Sequence, residues 1–186
     1  LALTDHDVKP PATIDEDGKA VCITEYAKAR GLDLIPGIEI SCETDISDCH
    51  IVGLGCDWED KYFDDVNEFT INSKVTGYKK LVNALAADGM DITWDEVISN
   101  QKEDATERNV QKKHIFNLMS KKGRGKTWAE AKLLVKRTPK YNIAREKPSA
   151  VSAITNINRT GGIAICAHPF LMNDTMTICG KRMTRL

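Results

Sequence analysis

The stretch Gly161-Gly162-Ile163-Ala164-Ile165-Cys166-Ala167-His168-Pro169 constrains the fold more than any other part of the sequence. A glycine pair ends a helix. A short apolar run then makes a buried strand, and a histidine stands where it stops. Pro169 has no N–H and cannot continue an interior strand. His168 is therefore predicted at a strand's carboxyl end, the edge where α/β folds place their ligands. The chain opens with the same grammar, Leu1-Ala2-Leu3 followed by Thr4-Asp5-His6-Asp7. Two strand ends that each deliver a histidine predict a metal site to which both contribute.

Between these ends the pattern changes twice. Val8 to Gly18 reads as a polar loop, and Lys19 to Arg30 as a helix stopped by Gly31. Ile38-Glu39-Ile40-Ser41 reads as a strand with its isoleucines on one side and Glu39 and Ser41 on the other. A second strand, Ile51 to Gly55, follows His50 directly, so this part reads βαββ. From about Trp58 to Lys147 the signal is helical. Val75, Tyr78, Leu81, Val82 and Leu85 recur at helical spacing up to Asp88-Gly89. Thr93-x-x-Glu96 and Thr127-x-x-Glu130 read as capping boxes, and Val110, His114 and Leu118 as one helix face. Pro148-Ser149 caps a last helix with Val151, Ile154 and Ile157 inward. The tail after Phe170 yields no element. The expected divisions are 1–66 and 148–186 for an α/β part and 67–147 for a helical insertion.

The length of 186 residues suits one domain carrying such an insertion. No apolar run reaches membrane-spanning length. No secretory signal is visible, and six irregularly spaced cysteines read as reduced thiols, so a cytoplasmic location is expected. The first residue is Leu and the first run reads as a strand already under way, so the chain is expected to be cut from a longer protein. Net charge is −1, but residues 1–70 hold 17 acids and 5 bases, and residues 101–147 hold 5 acids and 14 bases. An acidic part can hold divalent cations, and a basic part can receive phosphate or a nucleic-acid backbone. Two solvated faces would produce the same split.

Four histidines are present: His6, His50, His114 and His168. Glu39 is the one acid inside an apolar strand, where an ionised carboxylate is costly unless it meets a cation. His6, Glu39, His50 and His168 would form a mixed nitrogen and oxygen set suited to Zn, Mn or Fe. The plainer alternatives are hydrogen-bonding histidines at loop ends and a half-exposed Glu39. Cys42, Cys49 and Cys56 lack any C-x-x-C pair, so a structural zinc is poorly supported. Cys166 reads as a small core residue, and His114 as a packed helix residue or a phosphate donor.

Leu3-Thr4-Asp5-His6-Asp7, Gly31-Leu32 through Ile35-Pro36-Gly37-Ile38-Glu39-Ile40-Ser41, His50 through Gly55, and Gly161 through Pro169 resemble, in order, successive motifs of the PHP (polymerase and histidinol phosphatase) domain. The closest resemblance is to stand-alone phosphoesterases that act on nucleoside 3′,5′-bisphosphates or short RNA and carry a helical insertion. The resemblance implies an α/β fold, a distorted (β/α)7 barrel, here partial with its first and last strands missing, and an inserted all-helical subdomain. It implies two or three divalent metals (Mn, Zn, Fe or Mg) on His6, Glu39, His50 and His168, with Glu39 and His6 assigned to catalysis. Asp5 and Asp7 would orient His6. Arg108, and less strongly His114, would meet the substrate phosphate. The family also uses a His-x-His before this chain's first residue and an Asp-x-His after its last, and Lys9-Pro10-Pro11 displaces a family glycine.

The function so implied is a metal-dependent phosphoric ester hydrolase. Its substrate would be a phosphorylated small molecule, a nucleotide or a short oligonucleotide, with no membrane involved and no protein partner inferable. The alternatives are a histidinol-phosphate-type phosphatase, a catalytically incomplete PHP module that binds or supports, and a nucleic-acid binder using residues 101–147.

Overall fold

The computed structural model describes residues 1–45, 49–102 and 104–169, and the backbone of 175–178 and 181–184. The chain divides into two compact units, 1–70 with 147–186, and 71–146.

The first unit is built on a four-stranded sheet of β1 (Ala2–Leu3), β4 (Ile35–Ser41), β5 (His50–Leu54) and β6 (Ile163–Cys166), in the order β1-β4-β5-β6. β1 runs parallel to β4; β4 with β5, and β5 with β6, are antiparallel. The alternation in β4 holds: Ile38 and Ile40 are fully buried. They pack with Ile51, Trp58, Phe63, Val66, Ala153 and Ile157 into one core. At Gly37 the neighbouring strands leave no room for a side chain. A Cβ there would lie 2.7 Å from the Gly53 carbonyl oxygen and 2.9 Å from that of Leu3.

Several local expectations need correction, while the partial barrel is neither closed nor completed by the described strands. The sheet is mixed and open, and among the described residues no barrel closes. Lys19–Cys22 is a strand, β3, paired with β2 (Thr13–Glu16), and helix α1 spans only Ile23–Ala29. Asp17 and Gly18 both take positive φ, 51° and 78°. That is the two-residue turn whose twist suits a hairpin, and Asp15 Oδ1 accepts the Gly18 N–H at 2.8 Å. β6 is not wholly buried. It edges the described sheet, and Ile163 and Ile165 are 67% and 43% exposed. Cys166 is likewise exposed. In helix α6 (Ala150–Arg159), Ser149 caps as expected, yet Ala153 and Ile157 face the core while Val151 and Ile154 face solvent. In the tail, β7 (Thr175–Ile178) pairs with β8 (Lys181–Thr184).

Helix α2 (Lys61–Ala87) runs from the first unit into the second and ends before Gly89, where φ is +77°. The second unit continues with α3 (Trp94–Ser99), α4 (Lys112–Lys121) and α5 (Trp128–Arg137), and two 3-10 turns at Glu107–Asn109 and Pro139–Tyr141. Its core joins Leu81, Val82 and Leu85 to Val97, Ile115, Met119 and Ala131. Thr93 and Glu96 form a full capping box. At Thr127 only half of the box is present, because the Glu130 carboxylate takes the Lys126 N–H at 2.8 Å. Val110 is buried but precedes α4, so it does not share that helix's face. Among the described residues no helix is long and apolar enough to cross a membrane.

Candidate metal centre

Strand direction assembles the site. β6 runs the same way as β1 and β4, and β5 runs the opposite way. The carboxyl ends of three strands therefore share an edge with the amino end of β5. His6 follows β1, Glu39 lies near the end of β4, His168 follows β6, and His50 opens β5. An antiparallel strand must present its first residue at that edge, which explains a histidine that precedes its apolar run.

The ladder sets the common face. Glu39 lies opposite Val52 and Ser41 opposite His50, and paired residues project to the same side. Glu39 Oε1 lies 2.9 Å from His50 Nδ1, 3.1 Å from His168 Nε2 and 4.0 Å from His6 Nε2. His50 Nδ1 is also 3.3 Å from His6 Nε2 and 3.0 Å from His168 Nε2. The rings of His6 and His168 each meet His50 edge-on, at centroid distances of 4.6 and 4.7 Å.

This donor set fits a divalent cation. One imidazole nitrogen offers either a single N–H or a single lone pair, so His50 Nδ1 cannot satisfy three neighbours with protons. Lone pairs converging on one point are satisfied by a positive ion. Donors bound tetrahedrally at about 2.1 Å stand roughly 3.4 Å apart, within the spread seen here. His6, Glu39 and His50 each offer one ligand atom within 4.8 Å of the other two.

Asp7 sets the aim of His6. Its Oδ2 is 3.1 Å from His6 Nδ1, which leaves Nε2 directed at the cluster. Ser41 holds Asp7 in turn, donating its N–H to Oδ1 at 2.7 Å and its hydroxyl to Oδ2 at 2.9 Å. Sequence reasoning missed Ser41; the signal was its place two residues after Glu39 on the same strand face. Asp5 takes part through its backbone, its carbonyl accepting the Glu39 N–H at 3.1 Å. Asp7 and His168 both have positive φ, 59° and 29°. Residues with a Cβ seldom adopt that backbone, and two of the four described that do, Asp7 and His168, lie at the cluster.

Cys42, Cys49 and Cys56 are buried. Burial, then the charges of Cys49 and Asp7, push the Cys42 thiol up to about 12. Burial alone pushes Cys56 up to about 11. Both serve as small core residues.

Arg108 and His114 belong to the second unit. Arg108 sits in the first 3-10 turn, and its carbonyl accepts from Lys74 Nζ at 2.9 Å. His114 Nδ1 accepts the Gln111 N–H at 3.1 Å, so Nε2 carries the ring proton. Partial burial, and then Lys113, hold His114 below its ordinary value. It lines a polar groove of about 830 Å³ with Asn100, Gln111, Asn117 and Lys121.

No family model matches the chain, and no curated protein does. Solved structures do. A protein of Bifidobacterium adolescentis designated a metal-dependent phosphoesterase aligns at TM-score 0.63 and 24% identity, over 90% of this chain and 55% of its own. An amidohydrolase of Chromobacterium violaceum, solved with sulfate and without metal, aligns at TM-score 0.63 and 24% identity, over 93% and 57%. The likeness is one of fold, and this chain spans little more than half of either structure.

Proposed function

We propose that the protein is a metal-dependent hydrolase acting on a phosphate ester, at the level of a nucleotide or a nucleic-acid end. The observation that carries this reading is the meeting of three imidazoles and one carboxylate at a single sheet edge. The fold shared with a protein designated a metal-dependent phosphoesterase supports it. His6, Glu39 and His50 would hold a divalent ion, which when bound would lower the pKa of a water toward neutrality and offset charge on phosphoryl oxygens. Glu39 supplies the negative charge of the donor set. His50 joins the other donors from the antiparallel strand. His6 is oriented by Asp7, and His168 by its turn before Pro169. Arg108 and His114 are the candidates for the substrate phosphate, with His114 offering an Nε2–H. His6, Glu39 and His50 suit one ion, and His168 adds a donor beside Glu39 and His50; the two or three ions implied by the PHP resemblance would draw on further donors.

The test is phosphate release from adenosine 3′,5′-bisphosphate with added Mn²⁺. We expect release that a chelator abolishes and that Glu39→Gln lowers about a hundredfold or more. No release from this or any phosphomonoester, with metal bound, would remove the enzymatic reading. Faster turnover of histidinol phosphate would favour the other phosphatase. A second reading, a metal-stabilised module without turnover, rests on the same donor set, which fits a cation whether or not chemistry follows. It predicts a melting temperature raised by metal and no hydrolysis.

A further inference from the structure

Two stretches of chain share the β1 side of β4, one after the other. Beside Glu39 runs the segment after β1. Glu39 donates its N–H to the Asp5 carbonyl and accepts the Asp7 N–H, and His6 bridges Glu39 in parallel. At Asp7, with φ 59°, that segment turns, and its carboxylate rather than its backbone takes the Ser41 N–H. Glu43, just past β4, then donates its N–H to the Pro148 carbonyl at 2.8 Å and bridges Ser149 in parallel. Residues 147–149 therefore take the place that the segment after β1 leaves. Lys147 precedes a proline, and Ser149 has φ −70° and ψ 144°, so the approach is extended. In parallel pairing of extended segments, the residue two before Ser149 stands level with the residue two before Glu43. That sets Lys147 level with Ser41, which holds Asp7 and lies opposite His50.

This is an acidic place to put a cation. Residues 1–70 hold 17 acids and 5 bases, and Asp7 and Glu39 stand at the donor cluster itself. An anionic substrate approaching that edge meets the same charge. Other cations of the first unit are engaged elsewhere: Lys9 with Asp64, Arg30 with Glu16, Lys61 with Asp65 and Arg159 with Asp60. Lys19 lies in the β2–β3 hairpin, and Lys28 in the last turn of α1, before β4 begins and so at the opposite edge. Arg108 and His114 belong to the other unit, whereas Lys147 belongs to the unit that carries the four donors. It is half-buried, and its charge reaches the Cys42 thiol, where it opposes the effect of Asp7.

We propose that Lys147 is a substrate-binding residue, its ammonium holding a phosphoryl oxygen at the edge where His6, Glu39, His50 and His168 meet. This rests on the proposed action on phosphate esters and adds to it a cation from the metal-bearing unit itself. An ammonium offers three donors and no acceptor, so it suits an anionic oxygen. Half-burial leaves its charge less screened than that of a lysine in open solvent.

The test is calorimetric titration of the Mn²⁺-loaded full chain with inorganic phosphate, beside the titration with Mn²⁺ itself. Lys147→Gln should weaken phosphate binding about tenfold or more and should not weaken Mn²⁺ binding. Lys28→Gln removes one charge at the opposite edge and should change phosphate affinity less than about twofold. With adenosine 3′,5′-bisphosphate, Lys147→Gln should raise KM about tenfold or more and change kcat by a smaller factor. Circular dichroism should show both variants folded. Wild-type phosphate affinity in Lys147→Gln overturns the proposal, and so does an equal loss in Lys28→Gln. A parallel loss of Mn²⁺ affinity in Lys147→Gln, or no phosphate binding to the loaded wild type, overturns it as well. Phosphate binding that depends on Lys147, without hydrolysis of any phosphomonoester, would sink the hydrolase and leave the phosphate contact. Hydrolysis with an unchanged KM in Lys147→Gln would do the reverse.

Discussion

Asp7 shows how one side chain fixes another. It accepts from both the N–H and the hydroxyl of Ser41, and the oxygen that takes the hydroxyl, Oδ2, also meets His6 Nδ1. Asp7→Asn keeps the shape but weakens the hold on the His6 Nδ1–H. Divalent metal affinity, measured by calorimetric titration, should fall about 10- to 100-fold while the fold persists. The thiols divide just as sharply. Cys22 is exposed, and the Thr24 hydroxyl, then the N–H groups of Glu25 and Thr24, hold its thiol below the ordinary value. Cys42 and Cys56 are buried and held near 12 and 11. A thiol reagent at neutral pH should therefore modify Cys22 well before Cys42 and Cys56 in the native protein, as peptide mapping would show. Labelling of Cys42 or Cys56 first would contradict the packing described.

At the scale of elements, the β4–β5 pair carries the site, and Gly37 is where it tolerates least. A methyl at 37 meets carbonyl oxygens from two strands, which cannot rotate away as a side chain could. Gly37→Ala should cost about 1–3 kcal/mol in urea unfolding. The join between Asp60 and α6 is electrostatic. Arg159 grips Asp60 through both guanidinium NH2 groups, at 2.9 and 2.8 Å. That grip, and then the Tyr62 N–H, hold the carboxyl at about 2, down from 3.8. A depressed carboxyl stabilises the fold above its unfolded value and loses that effect as pH falls through the folded one. The melting-temperature gap between wild type and Asp60→Asn should therefore be constant above about pH 5 and shrink toward pH 2. Much at this scale was legible in the sequence. Period-2 alternation marked β4, and Ile38 and Ile40 are buried; Pro169 marked the end of the strand that delivers His168. The β2–β3 hairpin was not read, although Asp17-Gly18 signals it, because the apolar spacing after Lys19 fits a helix as well as a strand. Val151 and Ile154 were set inward because hydrophobicity alone does not say which stripe of a short helix finds a partner.

For the molecule as a whole, the site's residue types were legible and its assembly was not. Glu39 inside an apolar run and two histidines at strand ends pointed to a cation. His50 fitted poorly until β5 proved antiparallel, which is a property of pairing and not of local sequence. Closure of the sheet was likewise beyond local reading, since it depends on which strands meet at the edges. If the four donors hold an ion only when folded, that ion stabilises the native state by mass action. The central claim is that His6, Glu39, His50 and His168 together bind a divalent cation. Calorimetric titration of the metal-stripped protein with Mn²⁺ and with Zn²⁺, beside Glu39→Gln, tests it most directly. We predict saturable binding to the wild type and at least about tenfold weaker binding to the variant. No saturable binding, or equal binding by both proteins, would contradict it.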